Sequence, residues 1–266
     1  MPIFGLRTMI CVVCLLALVR PVPAVEAGTE VDLALVLAVD ISNSMDPEEQ
    51  DLQRTGFIEA FRSPLVHDAI RGGTLGRIAV TYMEWAGSWR QTVVVPWTII
   101  DGTEIAVDFA ERLSRAPIQR APRTSISGAI DFSVRLLGDS GVEPLRQTID
   151  ISGDGANNQG RPVTDARNDA LARGITINGL PIMLNRGTGY WDVEYLDSYY
   201  RDCVIGGPGA FMVPVRERRQ FVDAIKTKIL REIAANDTDH LVQPAQAQPR
   251  SNCLSGDFRD WDMRRN

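Results

Sequence analysis

The chain has 266 residues, of which 44% are hydrophobic and 23% are charged, the composition of an ordinary globular protein. This balance excludes a disordered, collagen-like or polytopic membrane protein. The formal net charge of −6 provides no basic surface for nucleic acid, so nucleic-acid binding is not expected. The sequence has only two lysines and two histidines, which nearly excludes Schiff-base chemistry and multi-histidine metal sites.

Residues 1–27 have the three regions of a secretory signal peptide. Arg7 precedes an apolar run over 9–19, and small residues ending in Ala27 follow. The apolar run of about 11 residues is too short for a transmembrane helix, which needs about 20. We therefore expect cleavage after Ala27 and export to the periplasm or the extracellular space, with no membrane span in the mature chain.

The segment that follows begins an alternation of strands and helices. A nearly continuous apolar run over 31–39 predicts a strand buried on both faces. A helix is predicted over 47–62, where apolar residues recur at helical spacing. Strands over 77–85 and 91–97 are predicted to form a hairpin, with Pro96 marking the second as an edge strand.

The alternation continues to residue 234. The same criteria predict helices over 103–114, 125–138 and 162–173, strands over 148–152 and 174–180, and a last unit with a strand over 210–215 and a helix over 216–234. This order predicts an α/β fold with a doubly wound, mostly parallel sheet, one antiparallel edge strand and helices on both faces. Residues 28–234 form the expected domain, and the polar residues 235–266 are expected to be a linker and a tail.

Two features lie near the end of the domain. Five aromatic residues fall within 185–202, and Tyr190, Trp191 and Tyr195 are candidates for a partner-binding surface; the alternative is a lid packed on the sheet edge. After loss of the signal, Cys203 and Cys253 are the two remaining cysteines. In an oxidising compartment they either form a disulfide that tethers the tail or stay as separately buried thiols.

Polar oxygen ligands cluster at predicted strand ends. Asp40, Ser42 and Ser44 follow the first strand with alternate spacing, and Asp154 follows a later strand. Thr124 comes just before a predicted helix. Open α/β sheets place their sites at the carboxyl ends of strands, so these residues are predicted to meet. The alternative for the first three is turn and N-cap chemistry before the helix at 47.

Two carboxylates and three hydroxyls are hard oxygen donors. Such a set suits one Mg²⁺ ion that retains waters and has room for an outside ligand, with Mn²⁺ or Ca²⁺ as the other candidates.

The five residues together make the sequence resemble a von Willebrand factor A domain. Its metal-ion-dependent adhesion site is written D-x-S-x-S, a later threonine and a later Asp-Gly, and all five positions match. The resemblance covers 31 to about 234. The stretches 152–158 and 204–211 are similar to a family of uncharacterised exported bacterial proteins with this domain.

The resemblance implies a non-catalytic, divalent-cation-dependent protein-binding module. Ser42, Ser44 and Thr124 would ligate the ion directly, Asp40 and Asp154 would hold its waters, and a protein partner of unknown identity would offer a carboxylate. One departure is Gly153, where relatives often have threonine. We expect this glycine to relax the hydrogen bonding around the ligands without abolishing metal binding.

Two other functions compete with this interpretation. The stretch 153–158 is similar to a motif of haloacid-dehalogenase-type phosphotransferases, with Asp40 as the nucleophile. That family needs Asp at the position of Ser42 and a lysine ahead of the motif, whereas both lysines lie after residue 225. The second alternative is a metal-independent scaffold that acts through the aromatic surface of 185–202.

Overall fold

The computed structural model describes residues 28–184, 196–234 and 251–254. Its main sheet has five strands in the order β4, β3, β2, β6, β7. These strands are β2 (Leu33–Asp40), β3 (Ile78–Trp85), β4 (Gln91–Ile100), β6 (Gln147–Gly153) and β7 (Thr176–Pro181). Only the β3–β4 pair is antiparallel. The predicted sheet is therefore confirmed, including the hairpin and the edge position of Pro96.

The central strand β2 explains why the apolar run is nearly continuous. All eight of its residues are buried, and alternate side chains point to opposite faces of the sheet. Leu35 and Leu37 belong to one core, and Val36 and Ala38 belong to the other. A strand covered on both faces has no position for a solvent-facing polar residue before its end, where Asp40 lies.

Helices cover both faces. The first core contains residues of α1 (Pro47–Arg62), α2 (Pro64–Arg71), α3 (Thr103–Arg115) and α7 (Phe221–Ala234). The second contains residues of α4 (Ile126–Gly138), α5 (Val163–Leu171), α6 (Leu196–Tyr199) and the π-helical turn Tyr200–Val204 that continues α6. Outside the main sheet, the strands β1 (Thr29–Val31) and β5 (Val142–Pro144) form a separate two-stranded parallel sheet.

The helix predicted over 47–62 is confirmed as α1, whereas three other features differ from the prediction. A further helix, α2, follows α1 at once, because Pro64 occupies the first helical position, where a missing N–H costs nothing. The predicted strand over 210–215 makes only isolated bridges with 179 and 182: Val213 and Val215 donate to the carbonyls of Gly179 and Pro181, but Pro181 has no N–H to complete the ladder. The last helix begins at Phe221, after a 3₁₀ turn over Arg218–Gln220.

A buried charge network joins α7 to the sheet. The Lys228 ammonium lies 2.8 Å from the Asp150 carboxylate and 2.6 Å from that of Glu232, and all three side chains are 1% exposed. Asn178 donates to Glu232 at 2.7 Å and accepts from the backbone N–H of Phe211 at 2.8 Å. The Phe211 ring lies 4.9 Å from the ammonium, so the 204–211 stretch covers this network.

The disulfide between Cys203 and Cys253 is present. Cys253 packs against the second core, and the backbone N–H of Ser251 donates to Asp202 at 2.8 Å. Residues 251–254 are therefore fastened beside the π-helical turn, which is the first of the two alternatives that the cysteine count left open. Within the described ranges, the structure contains no helix that combines the length and the apolar character needed to cross a membrane.

Candidate metal centre

The predicted metal ligands lie at one edge of the sheet because their strands run parallel. Asp40 is the last residue of β2, and Asp154 directly follows β6, which pairs with β2. Ser42 and Ser44 lie in the loop between β2 and α1, and Thr124 precedes the N-cap of α4. The carboxyl ends of neighbouring parallel strands form the crevice where open α/β sheets bind ligands.

A chain of hydrogen bonds connects four of the five residues. The backbone N–H of Ser42 donates to Asp40 Oδ1 at 2.6 Å. The hydroxyls of Ser42 and Ser44 are 2.8 Å apart, and Ser44 donates to Asp154 Oδ1 at 2.6 Å. Asp40 and Ser42 are buried, whereas Ser44 is exposed. The four side chains therefore run from the interior to the surface.

Thr124 lies beside this chain on a separate loop. Its Oγ1 is 3.8 Å from the position that a Cβ on Gly155 would take. The backbone N–H of Thr124 donates to Asn158 Oδ1 at 2.8 Å, and the backbone N–H of Asn158 donates to the Thr124 carbonyl at 2.8 Å. This reciprocal pair fastens the threonine loop to the loop that carries Asp154. Arg123, directly before Thr124, has a φ of 74°, which L side chains seldom adopt.

The helix cap at α1 shows that the serines are not there to start the helix. Asp46 is the N-cap and accepts from the backbone N–H of Glu49 at 2.8 Å, and Glu49 accepts from the backbone N–H of Asp46 at 3.0 Å. This capping box satisfies the helix end without the D-x-S-x-S motif. The N-cap part of the alternative for Asp40, Ser42 and Ser44 is therefore wrong, whereas its turn part is present in the bond from the backbone N–H of Ser42 to Asp40.

Arg120 holds the motif loop from outside. Its guanidinium donates to the carbonyls of Asn43 at 2.9 Å and Met45 at 2.6 Å. The backbone N–H of Asn43 also donates to the carbonyl of Ala121 at 3.0 Å. The loop that carries the two serines is thus fixed by the same segment that leads to Thr124.

Both carboxyl groups titrate abnormally. Burial raises the pKa of Asp40 well above its usual range, and the charge of Asp154 raises it further. The pKa of Asp154 is raised to about 6, mainly by burial. The hydrogen bond from Ser44 lowers this pKa, and the charge of Glu49 raises it. Two carboxylates held close together in a low-dielectric setting repel each other, and a cation between them would relieve that repulsion.

The residues fit a small hard cation. Asp40 Oδ2 is buried and has no hydrogen-bond partner, which is costly for a carboxylate oxygen and would be relieved by a cation or a metal-bound water on that side. The neighbouring donors are all oxygens, as Mg²⁺ and Mn²⁺ prefer. Among the described residues no group of three or more His, Cys, Asp or Glu is placed to hold a metal, so an ion here would depend on the hydroxyls.

Tyr200 lies beside the position that a side chain at Gly153 would occupy. A Cβ at this residue would lie 2.8 Å from Asp40 Oδ2 and 3.1 Å from the hydroxyl oxygen of Tyr200. Tyr200 is fully buried, and its hydroxyl donates to the Gly153 carbonyl at 3.5 Å. Burial, followed by the charge of Asp40, raises the pKa of Tyr200 well above its usual range, so the phenol is protonated.

Sequence reasoning did not identify Tyr200 or Arg120 as neighbours of the site. Neither belongs to a local motif with the ligands, and both reach the site through the tertiary fold. Their only sequence signals are an arginine in a Pro-rich loop and an aromatic pair, Tyr199–Tyr200. Tyr199 is also buried, which favours packing on the sheet for this part of 185–202. The three candidate surface residues Tyr190, Trp191 and Tyr195 lie outside the described residues.

A family model described as a protein of unknown function (DUF1194) matches residues 30–237. A search of curated proteins gave no significant match.

Solved structures share the fold. Proximal thread matrix protein 1 from the mussel byssus, in its second crystal form, has a TM-score of 0.57 and 14% identity over 79% of this chain and 50% of that one. The pilus adhesin SpaC from Lactobacillus rhamnosus GG, in its open conformation, has a TM-score of 0.56 and 13% identity over 78% of this chain and 31% of that one.

A protein titled von Willebrand factor type A, from Catenulispora acidiphila, has a TM-score of 0.53 and 12% identity, and the alignment covers 78% of this chain and 47% of that one. The chain therefore spans half or less of the length of these three proteins. At such identities the likeness shows the fold, and the α/β fold of this chain is that of a von Willebrand factor A domain.

Proposed function

The chain belongs to the DUF1194 family, whose function is unknown, and we propose that it is an exported protein-binding module that depends on one divalent cation. The observation that carries the proposal is the oxygen cluster at the carboxyl edge of the sheet. Four of the five predicted ligands are joined there by short hydrogen bonds, and one buried carboxylate oxygen, Asp40 Oδ2, has no partner.

The proposed ligand roles follow from the resemblance to the adhesion site. Ser42, Ser44 and Thr124 hold the ion directly, and Asp40 and Asp154 hold its waters. When bound, the ion supplies a coordination position that accepts a carboxylate from a protein partner. The chain's own contribution is to fix the oxygens before binding, through Arg120 on the motif loop and the capping box of α1. No step of covalent chemistry is required.

Two further observations support a binding role. One of the solved structures with this fold is described as a pilus adhesin, and adhesion is a binding role. Ser44, which links Ser42 to Asp154 in the hydrogen-bond chain, is exposed, so a partner group can reach the site from solvent. Export rests on the signal-like segment 1–27 and agrees with the disulfide, which forms in oxidising compartments.

Titration calorimetry on the domain purified after signal removal tests the proposal. Mg²⁺ and Mn²⁺ are titrated separately into the wild type, into Asp40→Ala, and into Asp139→Ala. Asp139 is an exposed carboxylate that follows α4 at the opposite edge, so it is a matched control. We expect saturable binding of one ion in the wild type and in Asp139→Ala, and no binding in Asp40→Ala.

Absence of heat in the wild type, together with no rise in melting temperature on adding either ion, would contradict the proposal. The surface of the domain would then have to account for its function. Equal binding by all three proteins would show that the ion binds elsewhere.

A further inference from the structure

Asp40 and Tyr200 are brought together from distant parts of the chain. Asp40 ends the central strand, and Tyr200 begins the π-helical turn on the second face of the sheet. Both are 0% exposed. The carboxylate oxygen Oδ2 and the phenolic oxygen lie 2.8 and 3.1 Å from the same point, the Cβ position of Gly153. The two oxygens therefore border the same space, which the absence of a side chain at Gly153 leaves open.

Two glycines in neighbouring strands make this arrangement possible. Gly153 ends β6, and Gly179 lies in β7 beside it. A Cβ on Gly179 would lie 2.7 Å from Cδ1 of the Tyr200 ring, closer than real contacts allow. Glycine inside a strand weakens the strand and commonly marks a close approach by another group. Here the approaching group is Tyr200: Gly179 admits its ring and Gly153 admits its hydroxyl.

The hydroxyl is available to the carboxylate. Its hydrogen bond to the Gly153 carbonyl, at 3.5 Å, is at the outer limit of such bonds. Asp40 Oδ1 already accepts from the backbone N–H of Ser42, whereas Oδ2 has no partner. A phenol O–H can rotate to donate to Oδ2 directly or through a single water. A buried carboxylate oxygen gains the most from a donor placed in this way.

The turn that carries Tyr200 is itself fastened. Cys203, three residues later, is bonded to Cys253, and Asp202 accepts from the backbone N–H of Ser251 at 2.8 Å. The backbone N–H of Ile205 donates to the Tyr200 carbonyl at 2.9 Å, which closes the π-helical turn. The position of the tyrosine therefore depends on the attachment of residues 251–254.

We infer that Tyr200 is a positioning residue of the metal centre: its hydroxyl holds the Oδ2 side of Asp40, and the Cys203–Cys253 disulfide holds Tyr200 in place. This inference rests on the proposed function. It extends the site from the five ligands to a tyrosine that no ligand motif contains. Groups that orient metal ligands commonly contribute 10- to 100-fold to metal affinity.

The test compares the Mn²⁺ affinity of the wild type, Tyr200→Phe and Tyr82→Phe by titration calorimetry. Tyr82 is a buried tyrosine in the middle of β3, against Phe57 of α1 and away from Asp40, and serves as the control. We expect Tyr200→Phe to bind Mn²⁺ about 10-fold or more weakly and Tyr82→Phe to bind as the wild type does. The urea-unfolding midpoint of each metal-free protein separates loss of affinity from loss of fold.

A merely structural role for Tyr200 would lower the unfolding midpoint and leave the affinity of the folded protein unchanged, which would overturn the inference. No Mn²⁺ binding by the wild type would overturn the proposed function itself. Binding by the wild type with equal affinity in Tyr200→Phe would overturn only the role of the tyrosine.

The role of the disulfide is tested by Cys253→Ala in both backgrounds. We expect this substitution to weaken Mn²⁺ binding in the wild type and to have little further effect in Tyr200→Phe, because the same hydroxyl is lost in both cases. Equal losses in the two backgrounds would show that the disulfide does not act through Tyr200.

Discussion

Replacing Asp154 by asparagine should make the metal-free protein more stable at neutral pH while abolishing metal binding. Raising the pKa of Asp154 from its ordinary 3.8 to about 6 in the folded state penalises the ionised form by about 3 kcal/mol, at 1.36 kcal/mol per pH unit. Asparagine removes the charge and keeps an oxygen that can accept the 2.6 Å hydrogen bond from Ser44. The variant should therefore gain up to about 3 kcal/mol at pH 7.5.

The gain should depend on pH in a defined direction. Above about pH 6 the carboxyl is charged in both the folded and the unfolded protein, so the wild type bears the full penalty. As the pH falls through 6 the folded wild type takes up a proton that the unfolded chain does not bind, and the penalty shrinks to about 1 kcal/mol at pH 4.5. Stability of the wild type thus rises relative to the variant on acidification.

Urea unfolding in EDTA at pH 7.5 and pH 4.5 measures this difference. A repeat with Mg²⁺ at 100 times its dissociation constant should stabilise the wild type by about 2.7 kcal/mol and leave the variant unchanged. At pH 7.5 the two proteins should then have nearly the same free energy of unfolding. An Asp154→Asn variant less stable than the wild type in EDTA at pH 7.5 would refute the reasoning. A stability difference between the two proteins that is as large at pH 4.5 as at pH 7.5 would refute it as well.

Three other perturbations have outcomes that the structure specifies. Lys228→Met leaves two buried carboxylates without their cation and should lower the free energy of unfolding by about 3 kcal/mol or more, whereas Lys226→Met, at a half-buried position of the same helix, should change it by less than about 0.5 kcal/mol; urea unfolding distinguishes them. Gly153→Ala places a Cβ 2.8 Å from Asp40 Oδ2 and should weaken Mn²⁺ binding at least about 10-fold, while Gly138→Ala, which meets no atom within 4 Å, should bind normally in the same calorimetric titration. Reducing the disulfide, which spans 50 residues, should lower the free energy of unfolding by about 4 kcal/mol, and an unchanged urea midpoint in reductant would contradict the chain-entropy estimate.

Much of the fold was predictable because its signals are local. The apolar run of β2 and the helical spacing of α1 can be recognised without knowing their partners, and the predicted alternation gave the sheet with its antiparallel edge strand. The failure over 210–215 has a cause in the neighbouring strand. The segment has an apolar pattern suited to a strand, but Pro181 of β7 has no N–H to donate to it, so the ladder is interrupted, and the hydrophobicity of 210–215 itself does not indicate this.

The proximity of the candidate ligands was predictable for a different reason. Asp40, Ser42 and Ser44 are spaced within one motif, and strand ends place Asp154 beside them once the sheet is parallel. The surroundings of the ligands were not predictable. Tyr200 reaches Asp40 only because glycines in two strands leave room, and those glycines carry no sequence signal that distinguishes them from turn residues. Gly153 was expected only to relax the hydrogen bonding around the ligands. That expectation did not include Tyr200, whose hydroxyl lies beside the position a side chain there would occupy.

The scarcity of lysine gives this domain an unusual chemical property. One of its two lysines, Lys228, is 1% exposed within the charge network, whereas Lys226 lies on the outer side of the same helix with its side chain 32% exposed. Apart from the α-amino group, an amine-directed reagent should therefore modify the native domain at one position. A fluorophore attached there would report on the surroundings of α7 without any engineered cysteine, and would leave the disulfide intact.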